Sequence, residues 1–167
     1  EPVGDSVNIT STQQLRALMC ATRGLQLKIM FPMVGSVDDF LLIREIVAKC
    51  SAELTAESVP HNNAPQLGIM IEVPSAVEVI EEIADLADFV SLGTNDLVQY
   101  ILAVDRTNKQ VANWYQPHHP AVLRSIKRVA DAVNRRKKPL TVCGDMASDP
   151  RFISLLLGRG IRALSMP

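Results

Sequence analysis

Short apolar runs at residues 27–32, 67–71, 89–92, 140–142 and 161–165 are each separated by a stretch long enough for a helix. That rhythm constrains the fold more than any other feature of the chain. The runs are strand-sized, and the segments between them carry helical spacing, as with Phe40, Ile43, Ile46 and Val47. Helices are expected over 13–22, ended by Arg23 and Gly24, and after an N-cap at Ser36 with Asp38 and Asp39 in the first turn. Others are expected from a cap at Ser75 with Val79, Ile80 and Ile83 as apolar positions, over 121–134, and from Asp149 with Pro150 at the first helical position. A long polar and aromatic excursion runs through Trp114, Tyr115, His118 and His119. Strands alternating with helices imply right-handed βαβ units and a parallel sheet, hence the α/β class. Two architectures fit: an open doubly wound sheet and a (β/α)8 barrel. No Gly-x-Gly-x-x-Gly follows any strand, which weakens a dinucleotide site, and five strands are too few for a closed barrel.

The 167 residues suffice for one sizeable core, and no linker, repeat or low-complexity tract divides them. A net charge of -1 argues against a nucleic-acid partner. The basic run Arg135, Arg136, Lys137, Lys138 falls at an expected helix end, where it complements the helix dipole. No apolar run approaches the ~20 residues that span a bilayer, and the first residues lack the pattern of a signal peptide, so no membrane association is expected. Cys20, Cys50 and Cys143 form neither a disulfide framework nor a zinc pattern, which places the chain in a reducing cytoplasm.

Chemistry gathers where strands end. Glu72 ends one strand, Asn95 and Asp96 follow the next, and Cys143 ends a third. In a parallel α/β fold the carboxyl ends of the strands face one side, so these groups converge on one mouth. Glu72 and Asp96 on adjacent strands suit a single Mg²⁺, which takes few carboxylates and completes its shell with water and phosphate oxygens. Arg106, about a helix later, is a permanently charged fork for a phosphate. Cys143 is expected across the mouth, where a thiol can exchange a proton with carbon. Each residue alone also has an ordinary role. Glu72 suits a solvated strand terminus, Asp96 an N-cap for a segment beginning at Leu97, and Asn95 a turn. Arg106 suits a surface pair with Asp105, and Cys143 a small buried apolar residue. His118 and His119 read as loop residues without a ligand partner at metal spacing. Their co-location at successive strand ends favours the functional reading.

The stretch from Asp88 through Ser91, Gly93, Thr94, Asn95, Asp96, Gln99 and Asp105 to Arg106 resembles the signature of the phosphoenolpyruvate-utilising enzymes. Gly68, Ile69, Met70, Ile71, Glu72, Val73, Pro74 and Ser75 resemble their metal-glutamate strand. Cys143, Gly144, Asp145 and Met146 resemble their cysteine loop, and Ile29, Met30, Phe31, Pro32 and Met33 a further strand. Ala103-Val104-Asp105-Arg106 and Tyr115-Gln116-Pro117 resemble the enzyme I branch of the phosphotransferase system. Glu72-Val73-Pro74-Ser75 and Val111-Ala112-Asn113 lean to its nitrogen-related form.

This resemblance implies a (β/α)8 barrel domain that binds phosphoenolpyruvate (PEP) and works in moving its phosphoryl group to a protein histidine, releasing pyruvate. It implies Mg²⁺ on Glu72 and Asp96. Thr94 and Asn95 would contact the substrate carboxylate or phosphate, and Arg106 and Arg16 the phosphate. Cys143, as a neutral thiol, would protonate the enolate of pyruvate. A histidine-containing phosphocarrier protein and a homodimer are the implied partners, with sugar transport or nitrogen signalling as the setting. The resemblance covers residues 13–167, leaving 1–12 as a segment outside the pattern. It corresponds to about the last five strands of a barrel of ~250 residues. The family's two further phosphate-binding arginines, its phosphohistidine domain and its closing helix are not matched, so the chain alone is expected not to catalyse transfer. Two other readings compete. One is the equivalent domain of pyruvate phosphate dikinase or PEP synthase. The other is a non-catalytic dimerisation or regulatory module whose open strand edges invite pairing.

Overall fold

A computed structural model describes residues 4–166, with side chains from residue 12 onward. Its helices are α1 (Gly4–Ala21), α2 (Val37–Ala56), α3 (Pro74–Glu78), α4 (Ile80–Leu86), α5 (Thr94–Leu102), α6 (Pro120–Arg135), α7 (Asp145–Ser148) and α8 (Pro150–Gly158). Its strands are β1 (Lys28–Phe31), β2 (Gln66–Ile71), β3 (Phe89–Gly93), β4 (Leu140–Cys143) and β5 (Ala163–Leu164). The strands form one sheet in the order β1-β2-β3-β4-β5. The pairs β2–β3, β3–β4 and β4–β5 are parallel. Sequential order with parallel pairing is the winding of a (β/α) barrel. A doubly wound sheet would reverse direction at a switch point. Among the described residues no helix is long and apolar enough to cross a membrane.

The chain divides into two compact units, residues 1–29 with 38–67 and residues 30–37 with 68–167. In the first, Leu15 and Met19 of α1 and Phe40, Val47, Cys50 and Leu54 of α2 are buried. Asn62 closes the end of α1. Its backbone N–H donates to the Met19 carbonyl at 2.8 Å and its side-chain amide to the Leu25 carbonyl at 2.8 Å. Helix α1 begins at Gly4, well before the expected residue 13. Residues 1–3 of the segment expected to lie outside the family pattern fall outside the described residues, as do the side chains of 4–11.

In the second unit the sheet has two unlike faces. Ile69, Ile71, Val90, Leu92 and Val142 point to one face and are essentially inaccessible to water. Helix α6 packs on β3 and β4 there and lies along α4. Among its buried residues, Val122, Ile126, Val129 and Val133 recur every three or four positions. Each large aliphatic side chain so buried contributes about 1.5–3 kcal/mol. Met70, Ser91, Gly93, Thr141 and Cys143 point the other way, because side chains alternate along a strand and register partners share a face. Gly68 pairs with Phe89 and lies beneath its ring. The functional groups belong to this second face.

Three local expectations differ from the structure. Ser75 does not cap α3: Pro74 takes the first helical position, which moves the cap back to Val73. Asp96 is not a cap either, since α5 starts at Thr94 and Gly93 is at once the end of β3 and the N-cap. That direct strand-to-helix junction hid the start of α5, because Gly-Thr-Asn-Asp reads locally as a turn. His119 proves to be more than a loop residue: its Nδ1 accepts from the Ala121 N–H at 3.2 Å and caps α6. Asp149 caps α8 as expected, accepting from the Arg151 N–H at 2.9 Å.

Candidate active site

The groups of this site lie in the second unit, at the carboxyl ends of β2, β3 and β4. Glu72 follows Ile71 directly and therefore turns to the opposite face of the sheet. It is 4% exposed, not a solvated terminus. Its Oε1 accepts from the Met33 N–H at 2.8 Å. Its Oε2 lies over Gly93, where a Cβ would stand only 2.9 Å away. Asp96, in the first turn of α5, is near enough for its charge to act on Glu72.

Arg106 pairs with Asp96 rather than with its neighbour Asp105, Nη2 lying 3.6 Å from Oδ1. Asp105 is occupied elsewhere, accepting from the Thr107 N–H at 2.8 Å and the Thr107 hydroxyl at 2.7 Å. The Arg106 N–H donates to Gln99 Oε1 at 3.1 Å, which ties the arginine back to α5. An ion pair this exposed is weak, so the guanidinium is available to an arriving anion.

Cys143 ends β4, and its register partner on β3 is Gly93. The thiol therefore sits one strand from β3, not across the mouth, because β4 follows β3 directly in the sheet. The Ser91 hydroxyl donates to Sγ at 3.6 Å, and Sγ–H donates to the Leu92 carbonyl at 3.6 Å. Thr94 and Asn95 hold the loop after Cys143. The Thr94 hydroxyl donates to the Cys143 carbonyl at 2.8 Å, and Asn95 Oδ1 accepts from the Asp145 N–H at 2.8 Å. The Tyr115 hydroxyl donates to the Asn95 carbonyl at 3.3 Å. Gly144 has φ +91° and a built Cβ would stand 2.5 Å from Thr94 Oγ1 and 2.7 Å from Asn95 Oδ1, so only glycine fits. An open pocket of about 360 Å³ lies beside this loop, lined by Asn95, Gly144, Asp145, Ser148, Ser165 and Met166.

Electrostatics mark the carboxylate pair. Burial raises the Glu72 pKa above the ordinary glutamate range, the Met33 N–H opposes this, and the charge and hydrogen bond of Asp96 add to the rise. Burial likewise raises the Tyr115 phenol, with Asp145 adding to the rise, Arg106 opposing it and Asp96 contributing less. Two crowded carboxylates are uncomfortable without a cation and well matched to one. Among the described residues no group of three or more His, Cys, Asp or Glu is assembled. The donor set is thus two hard oxygen ligands at an open rim, which fits a small cation that keeps water and substrate oxygens in its shell.

Every expected residue of the second unit is brought to this rim: Glu72, Thr94, Asn95, Asp96, Arg106 and Cys143. Arg16 belongs to the first unit, where its guanidinium donates to Glu53 on α2 at 3.2 Å and to Glu57, just past the end of α2, at 2.6 Å. Sequence reasoning placed Met33, Ser91, Gly93, Gly144 and Tyr115 in motifs but gave them no role. Glycines beside reactive residues at two strand ends were a readable sign of close approach. Nothing in the sequence marked the Met33 peptide.

The sequence model of the PEP-utilising enzyme, PEP-binding domain family matches residues 5–167. The chain belongs to this family. The chain is 44% identical over 153 residues to the phosphoenolpyruvate-protein phosphotransferase of Listeria monocytogenes, covering 92% of this chain and 27% of that protein. It is 47% identical over 154 residues to the multiphosphoryl transfer protein of Xanthomonas campestris, covering 92% of this chain and 18% of that one. The chain thus spans about a quarter or less of these relatives' lengths. Among solved structures, a malate synthase from Haloferax volcanii superposes with a TM-score of 0.67 at 13% identity, over 92% of this chain and 45% of that one. A pyruvate kinase from Cryptosporidium parvum gives 0.64 at 13% identity, over 99% and 30%. At such identities the likeness speaks to fold alone, and the fold is of the (β/α)8-barrel type.

Proposed function

We propose that this domain binds PEP within a phosphoenolpyruvate-protein phosphotransferase, a transferase that moves phosphoryl from PEP to a protein histidine and releases pyruvate. The observation that carries the reading is the gathering of buried Glu72, of Asp96 with its Arg106 pair, and of Cys143 at the ends of three neighbouring strands. Identity of 44% to a protein of that name supports it.

In this reading Glu72 and Asp96 hold Mg²⁺, which would offset the charge of the carboxylates and of the substrate phosphate. Arg106 exchanges Asp96 for a phosphate oxygen. Asn95 directs its amide to the substrate while its Oδ1 stays on the Asp145 N–H. The phosphorus–oxygen bond of PEP breaks as a phosphorus–nitrogen bond forms on the acceptor histidine. The enolate left behind takes the Cys143 proton at its methylene carbon, giving pyruvate and a thiolate. Positioning and charge neutralisation dominate such a transfer. Ser91, donating to Sγ, stabilises the sulfur charge that results.

The same reading includes a histidine-containing phosphocarrier protein as later acceptor, a homodimer, and a cytoplasmic setting such as sugar uptake. It also holds that this chain, at 27% of the length of such a relative, does not complete turnover alone. Calorimetric titration of the chain with PEP and Mg²⁺ tests the reading. Mg²⁺-dependent PEP binding that is lost in Glu72→Gln is expected, and binding indifferent to Mg²⁺ and to that substitution would overturn it. Pyruvate release by the chain alone with a histidine carrier would refute the claim of incompleteness, and a well-behaved monomer on sedimentation would count against the dimer.

A further inference from the structure

We infer that the Met33 peptide N–H is a positioning group that makes Glu72 a one-oxygen ligand, occupying Oε1 and leaving Oε2 for the cation. The inference rests on the proposed metal role of Glu72. Three observations carry it. First, Met33 has φ +55°, a conformation that non-glycine residues rarely adopt and that clusters at functional sites. Second, its side chain is 55% exposed, so side-chain packing does not hold it there. What that backbone conformation achieves is to aim the N–H at Glu72 Oε1, at 2.8 Å. Third, the other oxygen is constrained from a different side: Oε2 lies over Gly93, which has no Cβ to displace it. One carboxylate oxygen is thus anchored by a peptide dipole and the other is presented over bare backbone.

A carboxylate gripped on one oxygen cannot swing to offer both. Groups that orient a metal ligand in this way change affinity by about 10–100-fold when removed. The N–H also partly offsets the charge of the buried carboxylate.

The test is Mn²⁺ binding, followed by electron paramagnetic resonance in the full-length protein. Replacing Met33 by its α-hydroxy-acid analogue changes the peptide N–H to an ester oxygen and keeps the side chain. A loss of about ten-fold or more in Mn²⁺ affinity is expected. Met33→Gly and Met33→Asn keep the N–H in a tolerated conformation, and both should bind Mn²⁺ within about two-fold of the native protein. Native Mn²⁺ binding with an unchanged ester variant would overturn the inference while leaving the metal site standing. No Mn²⁺ binding by the native protein would overturn both. Should the ester variant not fold, the Met33 amide proton of the native protein decides. Its hydrogen exchange should slow on adding Mg²⁺, and exchange indifferent to Mg²⁺ would overturn the inference.

Discussion

Gly93 and Glu72 are fitted to each other: a Cβ on Gly93 would stand 2.9 Å from Glu72 Oε2 and 3.1 Å from Glu72 Cβ. The space is also bounded by the Met70 sulfur, at 2.9 Å from the same point. Gly93→Ala should therefore displace a buried carboxylate. Overpacking of this kind costs about 1–3 kcal/mol. A fall in the unfolding midpoint together with weakened divalent-ion binding is expected. Scanning calorimetry with and without Mg²⁺ checks both, and a variant as stable and as Mg²⁺-responsive as the native protein would show that the space is not needed.

Glu72 itself should destabilise the cation-free fold at neutral pH. Burial and Asp96 raise its folded pKa, so the folded chain holds this proton more tightly than the unfolded chain. Stability then falls as pH rises from the ordinary glutamate range through the raised folded value, and levels off above it. Glu72→Gln should flatten that slope and raise the midpoint at neutral pH. Mg²⁺ should raise the native midpoint and leave the variant's unchanged. Melting curves across that range settle the point.

Cys143→Ala should leave the fold intact and remove pyruvate formation in the full-length protein, by about 10²–10⁴-fold if the thiol is the general acid. Ser91→Ala, which removes the donor to Sγ, should give a smaller loss in turnover with PEP affinity retained. Rapid-quench assays of pyruvate release against calorimetric PEP affinity separate the two effects. Full turnover in Cys143→Ala would end the assignment of the acid.

Arg136, just beyond α6, ties that helix to α4 through Glu81 and Asp85, with Arg135 adding to Glu81. Hydrogen bonds from Arg136, first among other effects, hold both carboxyls below their ordinary range. Their stabilisation is present above the ordinary carboxylate range and lost as pH falls through the lowered folded values. Arg136→Ala should lower the melting midpoint at neutral pH, by an amount that shrinks in acid and in high salt. A difference independent of pH would point to packing by the arginine stem instead.

The sequence by itself determined the strand and helix rhythm, the α/β class and the strand-end placement of Glu72, Asp96 and Cys143, because each depends on spacing along the chain. Apolar runs at strand length, Pro150 behind Asp149, and Glu72, Asp96 and Cys143 at strand ends are all local patterns. Only the tertiary structure decided how those groups meet. Arg106 turned to Asp96 rather than Asp105 because Thr107 already fills Asp105. Thr94 and Asn95 became supports of the Cys143 loop because β3 and β4 are neighbours. The Met33 peptide reached Glu72, 39 positions away, through a backbone conformation that no residue type announces. Periodicity and capping are properties of neighbours in sequence, whereas burial, charge crowding and a close approach over glycine are properties of neighbours in space.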